Sequence, residues 1–231
     1  MLISISDDLW VVDGECVKFW GFVYPTRSVV VRLNNGGIWV WSPIQCSEEL
    51  AREVANLGPV THLVSPCPIH HLFIGDWKER FPEAKIWGPL STQKKRADLT
   101  FEPALTDDAP DDWCEEIEQF HVDESQANDE VLFLHHKSNT LIMADFSENF
   151  TDEFLKTHWR PWQRWIARHW GVVKGKGYAP LDWRVTFRKR TKLKELKATL
   201  LSRPVENVIM AHGTMQISNG QAYLNQCLAW I

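Results

Sequence analysis

No two of the five cysteines (Cys16, Cys46, Cys67, Cys114 and Cys227) form a C-x-x-C pair. An odd, scattered set of thiols excludes a disulfide-framed fold and a four-cysteine zinc cluster, and it suits a reducing compartment. Also missing are G-x-G-x-x-G and G-x-x-x-x-G-K-S/T, the turns that let a backbone approach a phosphate, so nucleotide binding has no positive signal. Without a G-x-S-x-G elbow, a serine nucleophile is disfavoured. No apolar run approaches the roughly 18 residues that span a bilayer. The opening "MLISISDDLWVVDG" has neither the basic start nor the apolar core of a signal peptide. No low-complexity linker and no repeat period interrupts the chain. The expectation is one soluble, cytoplasmic domain over residues 1–231, with its oligomeric state open.

Charge is present but unevenly placed. Every formally charged residue from 102 to 130 is an Asp or Glu, whereas 156–203 holds fourteen Lys/Arg against two acids, Asp182 and Glu195. Two complementary solvated faces account for this. A basic rim would instead draw an anionic small-molecule substrate, because a cleft of one sign focuses the field. No helix-turn-helix, RNP or zinc-finger pattern accompanies the basic stretch, so nucleic acid is not an expected partner.

Apolar patterning supplies the elements. "VKFWGFVY" and "SVVVRL" read as strands, and "NNGG" at 34–37 as a hairpin turn before "IWVWS". Ser47 caps a helix that Gly58 stops. "VTHLVS" is a short buried strand, "HHLFIGDWKERFP" is helix-like, and "AKIWG" is a further strand. An acidic loop over 102–116 precedes three strands, "EIEQFHV", "EVLFLHH" and "TLIMAD", the last two joined by a turn at 137–139. Helices are predicted from about Thr151 and from Lys192 to Ser202, then a strand in "VENVIMAHG". A closing amphipathic helix puts Tyr223, Cys227 and Trp230 on one face. Strand runs separated by helices suit an α/β (α+β) fold of sheets with helices outside, not an all-parallel order.

Three polar clusters follow apolar strands directly: His70 and His71 after "THLVS", Asp145 ending "TLIMAD", and His212 ending "NVIMAH". Side chains at the carboxyl ends of strands converge on a ligand crevice. Imidazole and carboxylate are what zinc, iron(II) or manganese(II) require.

This order of His cluster, later Asp and final His-Gly resembles the metallo-β-lactamase-fold superfamily. "VVRLNNGGIWVWSPI … LGPVTHLVSPCPIHHLFIGDW" and "EVLFLHHKSNTLIMAD" are similar to a branch known as a domain of unknown function. The resemblance, over about residues 8–231, implies a four-layer αββα sandwich with a metal centre at one edge of two sheets, most often serving hydrolysis. Laid on the superfamily motif T-H-x-H-x-D-H, Ser65 takes the Thr place, and Pro66 and Pro68 the first two His places. His70 takes the Asp place and His71 the last His place. Asp145 matches the bridging Asp and His212 the final His. No His stands near Gln126–Glu130, where the middle one would fall; His121 and Glu130 are the nearest candidates for an additional ligand. One metal's ligands are thus lost and the other's four places keep ligand types. The resemblance implies a mononuclear site of His70, His71, Asp145 and His212 holding one divalent transition metal, zinc first, with iron or manganese as alternatives.

The implied activity is metal-activated water attacking an ester, lactone or phosphoester, with Asp145 positioning that water. The alternatives are a non-catalytic metal- or ligand-binding member of the fold and a mononuclear iron redox protein. Beside this set, Glu130 also reads as an exposed strand-edge acid and His121 as structural. His62, His135 and His136 read as non-ligands, and Asp76 as a local cap or a carboxylate bonded to a histidine. Cys67, at a variable motif position, reads as a small buried residue, with a thiolate metal ligand as its alternative. Trp159, Trp162, Trp165 and Ile166 at helical spacing read as a packing face with Arg160, Arg164 and Arg168 outward. The rival reading is a lid or interfacial element at the metal mouth for an apolar or anionic substrate. In either reading Pro161 would kink or end a helix running through it, or start the main helix at its first position.

Overall fold

The computed structural model describes residues 1–188 and 190–231. Its first sheet runs β1 (Ile3–Ser6), β2 (Leu9–Phe19), β3 (Phe22–Arg32), β4 (Ile38–Trp41), β5 (Val60–Val64) and β6 (Lys85–Trp87), each paired with the next. The second has the order β10 (Asn207–Met210), β9 (Thr140–Met143), β8 (Glu130–His135) and β7 (Ile117–Val122). β4, β5 and β6 are parallel, as are β9 and β10; the remaining pairs are antiparallel.

Side-chain alternation along each strand builds the layers. Val29, Val31, Trp39 and Trp41 of the first sheet meet Val131, Phe133, Ile142 and Ile209 of the second in one buried cluster. The intervening residues face outward. Val30, Ile38, Val40 and Leu63 pack on α1 (Glu48–Ala55) and α2 (Ile74–Arg80). Leu132, Leu134, Leu141, Met143, Val208 and Met210 pack on α7 (Thr191–Ser202) and α8 (Gly220–Cys227). Strands covered on both faces are largely apolar, which is why "IWVW", "TLIM" and "NVIM" each hold at least three consecutive apolar residues instead of alternating. The result is the αββα sandwich. No helix among the described residues is long and apolar enough to cross a membrane.

The remaining helices are α3 (Leu90–Lys95), α4 (Asp152–His158), α5 (Pro161–Trp170) and the single turn α6 (Leu181–Arg184). Ser47 caps α1, its hydroxyl accepting from the Leu50 N–H at 3.1 Å.

Several expectations need correction. "VKFWGFVY" is a hairpin, with Phe19 paired to Phe22 and both turn residues, Trp20 and Gly21, at positive φ, as a two-residue type I′ turn requires. The tryptophan stretch is two helices, because Pro161 forces Arg160 to be extended and opens α5 at its first position. Trp159 therefore packs inward at the end of α4, while Trp162 and Trp165 point outward from α5, against the packing-face reading. α2 starts at Ile74, so both histidines lie in the loop before it. α8 ends at Cys227, leaving Trp230 beyond the helix though packed on the same cluster. Trp113, in the acidic 102–116 stretch, is buried between the sheets.

His62, on β5, is buried and accepts at Nδ1 from the Trp87 indole N–H, 3.1 Å away. Burial lowers its pKa to about 4; Asp112 opposes this and Lys85 adds to it. Because the folded pKa lies below the unfolded one, the stabilisation is complete above about pH 6.5 and is lost as pH falls towards 4. Urea unfolding of the wild type across that window should lose about 3 kcal/mol more than His62→Gln does, by the linkage relation. Parallel pH profiles for the two proteins would refute this.

Candidate metal centre

Register places the site. β9 and β10 run parallel with Met143 opposite Met210, so the residues two positions beyond each, Asp145 and His212, emerge level at one sheet edge. β4 and β5 do the same in the other sheet: Trp41 is opposite Val64, which brings Ser42 beside Ser65 at the mouth of the loop carrying Cys67, His70 and His71. That loop ties the sheets together, the Pro66 carbonyl accepting from the Val131 N–H at 2.9 Å. The Ser65 hydroxyl lies 3.0 Å from the carbonyls of both Cys67 and His70 and fixes the turn.

Asp145 is the hub. Its Oδ1 lies 3.2 Å from His212 Nε2 and its Oδ2 lies 3.5 Å from His70 Nε2. Cys67 Sγ is 3.9 Å from the same Oδ2. Burial works to raise the Asp145 pKa, but the imidazoles of His70 and His212 outweigh it and hold the carboxyl well below the usual carboxylate range. The Cys67 thiol is pushed well up, by burial first and then by the charges of Asp145 and Glu130. Each imidazole is oriented from behind. His212 Nδ1 is 2.7 Å from the Pro25 carbonyl oxygen, and His70 Nδ1 is 2.8 Å from the Ser42 hydroxyl. Ser42 itself adopts a positive φ of 46°, a backbone conformation that a non-glycine residue takes at a strained position. Such hydrogen bonds to the far nitrogen are typical of metal-ligating histidines.

The other sequence-derived candidates divide. Among the described residues, the donor atoms of Cys67, His70 and Asp145 all come within 4.8 Å of one another. His212 reaches the opposite carboxylate oxygen. His71 lines the same cavity, but its Nδ1 lies 3.5 Å from the Arg96 guanidinium, which also donates to the His71 carbonyl at 2.9 Å. Burial, then Lys95 and Arg96, lower its pKa to about 4. His121 lies elsewhere, its Nε2 3.1 Å from an Asp129 carboxylate that Ser91 also bonds.

Glu130 is not exposed at a strand edge, which corrects that reading. It is fully buried, because β8 runs antiparallel to β9 and so starts where β9 ends. Its carboxylate accepts from three successive N–H groups, Ala144 at 2.6 Å, Asp145 at 2.8 Å and Phe146 at 3.0 Å. Burial, then the Asp145 charge, raise its pKa to about 8 against the pull of those bonds. Glu130 thus holds the backbone of the turn that presents Asp145. On the His212 side the same task falls to Gly213, at φ +98°, where an added Cβ would stand 2.2 Å from the Asn149 carbonyl oxygen. That close approach is the physical content of the His-Gly pair.

The site opens into a cavity of about 570 Å³. Its walls include Phe19 and Trp20 from the hairpin tip, Tyr24, Ile44, Trp170 and Trp183, and it also takes in Glu148 and Asp182. Sequence reasoning missed Ser42, Pro25, Glu148 and Asp182. The available signal for Glu148 was an acid between Phe146 and Phe150 in a run that otherwise reads as buried.

A search among curated proteins finds no match. Among solved structures, a metallo-β-lactamase from Pontibacter korlensis superposes with a TM-score of 0.66 at 13% identity, over 100% of this chain and 97% of that one. One from Hirschia baltica gives 0.63 at 12% identity, covering 100% and 96%. The DIM-1 metallo-β-lactamase, in a crystal exposed to ceftazidime, gives 0.64 at 14% identity, covering 99% and 96%. At these identities the likeness establishes the fold. The sequence also matches a family profile described as "Domain of unknown function (DUF4336)" over residues 6–157. Matched over more than half its length, the chain belongs to that family, on a metallo-β-lactamase-like fold.

Proposed function

We propose that the chain is a metal-dependent hydrolase, one domain over residues 1–231 working at a single divalent transition metal, zinc first among the candidates. One contact carries the reading. A carbonyl oxygen offers only lone pairs, so His212 Nδ1, 2.7 Å from Pro25 O, must carry its hydrogen. In a neutral imidazole, Nε2 then turns a lone pair towards the Asp145 carboxylate, 3.2 Å away. Two lone pairs face each other, and something positive has to stand between them. His70 faces the other carboxylate oxygen at 3.5 Å, but its Nδ1 partner is the Ser42 hydroxyl, which can donate or accept, so its tautomer is free to adapt. One added proton on His212 would satisfy its contact, and one divalent cation would satisfy it while also engaging His70.

The donor set suits the second solution. Ligands on a tetrahedral zinc at about 2.0–2.1 Å stand about 3.3 Å apart. Asp145 meets His70 at 3.5 Å and, through its other oxygen, His212 at 3.2 Å. Cys67, His70 and Asp145 are the set whose donor atoms lie within 4.8 Å of one another among the described residues. His70, Asp145 and His212 are the proposed donors. Cys67 is the fourth by proximity, and His71 is the fourth by sequence position. A bound cation would acidify a water and polarise a carbonyl or phosphoryl oxygen. The chain's own contribution is to fix the imidazoles through Ser42 and Pro25, to hold Asp145 through Glu130, and to enclose the substrate within largely apolar walls. Esters, lactones and phosphoesters are the proposed substrates.

Elemental analysis of protein purified without chelator tests this, alongside ester, lactone and phosphodiester hydrolysis. The expected result is close to one equivalent of zinc, iron or manganese and hydrolysis in one substrate class. Of Cys67→Ser and His71→Ala, the variant that lowers retained metal identifies the fourth donor. Protein free of transition metal, and unable to take up added zinc, would sink the reading.

A further inference from the structure

We infer that the cavity holds an organic-cation subsite, in which the carboxylates of Glu148 and Asp182 and the ring faces of Tyr24, Trp170 and Trp183 receive an alkylammonium group of the substrate. This deepens the hydrolase reading and rests on it only for calling the ligand a substrate.

Glu148 is 3% exposed and faces the cavity, yet no N–H, hydroxyl or cation bonds its carboxyl among the described residues. With so little exposure and no protein partner, its carboxyl depends on what enters the cavity, water or a ligand, to satisfy it. Burial, followed by the charges of Asp145, Asp182 and Glu130, favours its neutral form in the empty cavity, and a bound cation would favour the carboxylate. The cavity's own cations do not serve. Arg27 is taken by Asp13 at 2.7 Å and by the carbonyls of Met210 and Gly213, and Lys95 donates to Pro68 O at 2.7 Å. Lys18 makes no ion pair with either acid among the described residues.

The aromatic surroundings point the same way. Tyr24, Trp170 and Trp183 line the cavity with Glu148 and Asp182. Burial first, and then the charges of Glu148, Asp145 and Asp182, raise the pKa of the Tyr24 phenol, whose ring stands 5.0 Å from that of His212. Its hydroxyl also has no protein partner among the described residues. Aromatic faces with a nearby carboxylate are how proteins hold alkylammonium ions. A metal ion is the poorer occupant, because neither Glu148 nor Asp182 joins a third His, Cys or acid closely enough to ligate one among the described residues.

The test uses three probes of nearly matched shape at constant ionic strength: choline, its neutral carbon isostere 3,3-dimethylbutan-1-ol, and the anion 3,3-dimethylbutanoate. Calorimetric titration of the wild-type protein should show choline binding at least tenfold more tightly than either comparator. Glu148→Gln, which keeps the shape, should weaken choline at least tenfold while leaving the alcohol and the metal content unchanged. Should Glu148→Gln fail to fold, Asp182→Asn is expected to weaken choline in the same direction. Equal binding of choline and the alcohol, tighter binding of the butanoate, or choline affinity unchanged in the folded variants would each overturn the subsite. If choline binding fails while metal and hydrolysis persist, this inference alone falls. Choline binding in a protein that takes up no metal leaves the subsite standing without the hydrolase.

Discussion

Asp145→Ala is expected to leave the protein without stoichiometric transition metal and to lower hydrolysis at least about a hundredfold, beyond the range seen when only a ligand's supporting partner is lost. The reason is the position of Asp145 between both imidazoles, with one oxygen facing each ring. Without the carboxylate, His70 and His212 remain on separate sheets with nothing between them to share a cation. Ring positions should survive, since Ser42 and the Pro25 carbonyl hold each imidazole independently. The variant should therefore fold, and circular dichroism with metal analysis separates lost chemistry from lost structure. Wild-type metal content in a folded Asp145→Ala protein would remove the carboxylate from the proposed donor set.

The second large effect falls on Glu130. Glu130→Ala should lower unfolding free energy by about 3–5 kcal/mol, because it strands buried N–H groups that have no water to turn to. Three such groups, on Ala144, Asp145 and Phe146, depend on this one carboxylate. Glu130→Gln keeps a single acceptor oxygen and turns an amide N–H towards a donor, so its loss should be smaller but still measurable in urea. Both variants loosen the turn presenting Asp145, and metal affinity should fall about 10–100-fold with them. Urea curves of Glu130→Ala overlaying the wild type would show that the turn holds without its carboxylate.

Much of the architecture follows from local pattern. Short runs such as "TLIM" and "NVIM", each with three consecutive apolar residues, suit strands covered on both faces, which calls for helices outside the sheets. The two-sheet sandwich itself is what the family resemblance implies. The same runs mark where their strands stop, so Asp145 and His212 were legible as polar residues just past a strand. The hairpin at Trp20 was not legible, because a non-glycine residue at positive φ carries no turn signature.

What the sequence by itself determined was the set of layers and the edge at which ligand-type side chains emerge, since periodicity and strand length are local properties. Only the tertiary structure decided which of those side chains meet. His70 and His71 are neighbours in the chain, yet one faces Asp145 and the other faces Arg96, and the direction of each ring is set by the Ser65-bridged turn. Glu130 reads as a strand-edge acid until β8 is laid antiparallel to β9. The burial of Glu148 depends on walls brought from Tyr24 and from the region of Trp170 to Trp183. His212 is oriented by a carbonyl 187 positions away in sequence. Contacts of that separation arise from sheet register and packing, which no local pattern of residues encodes.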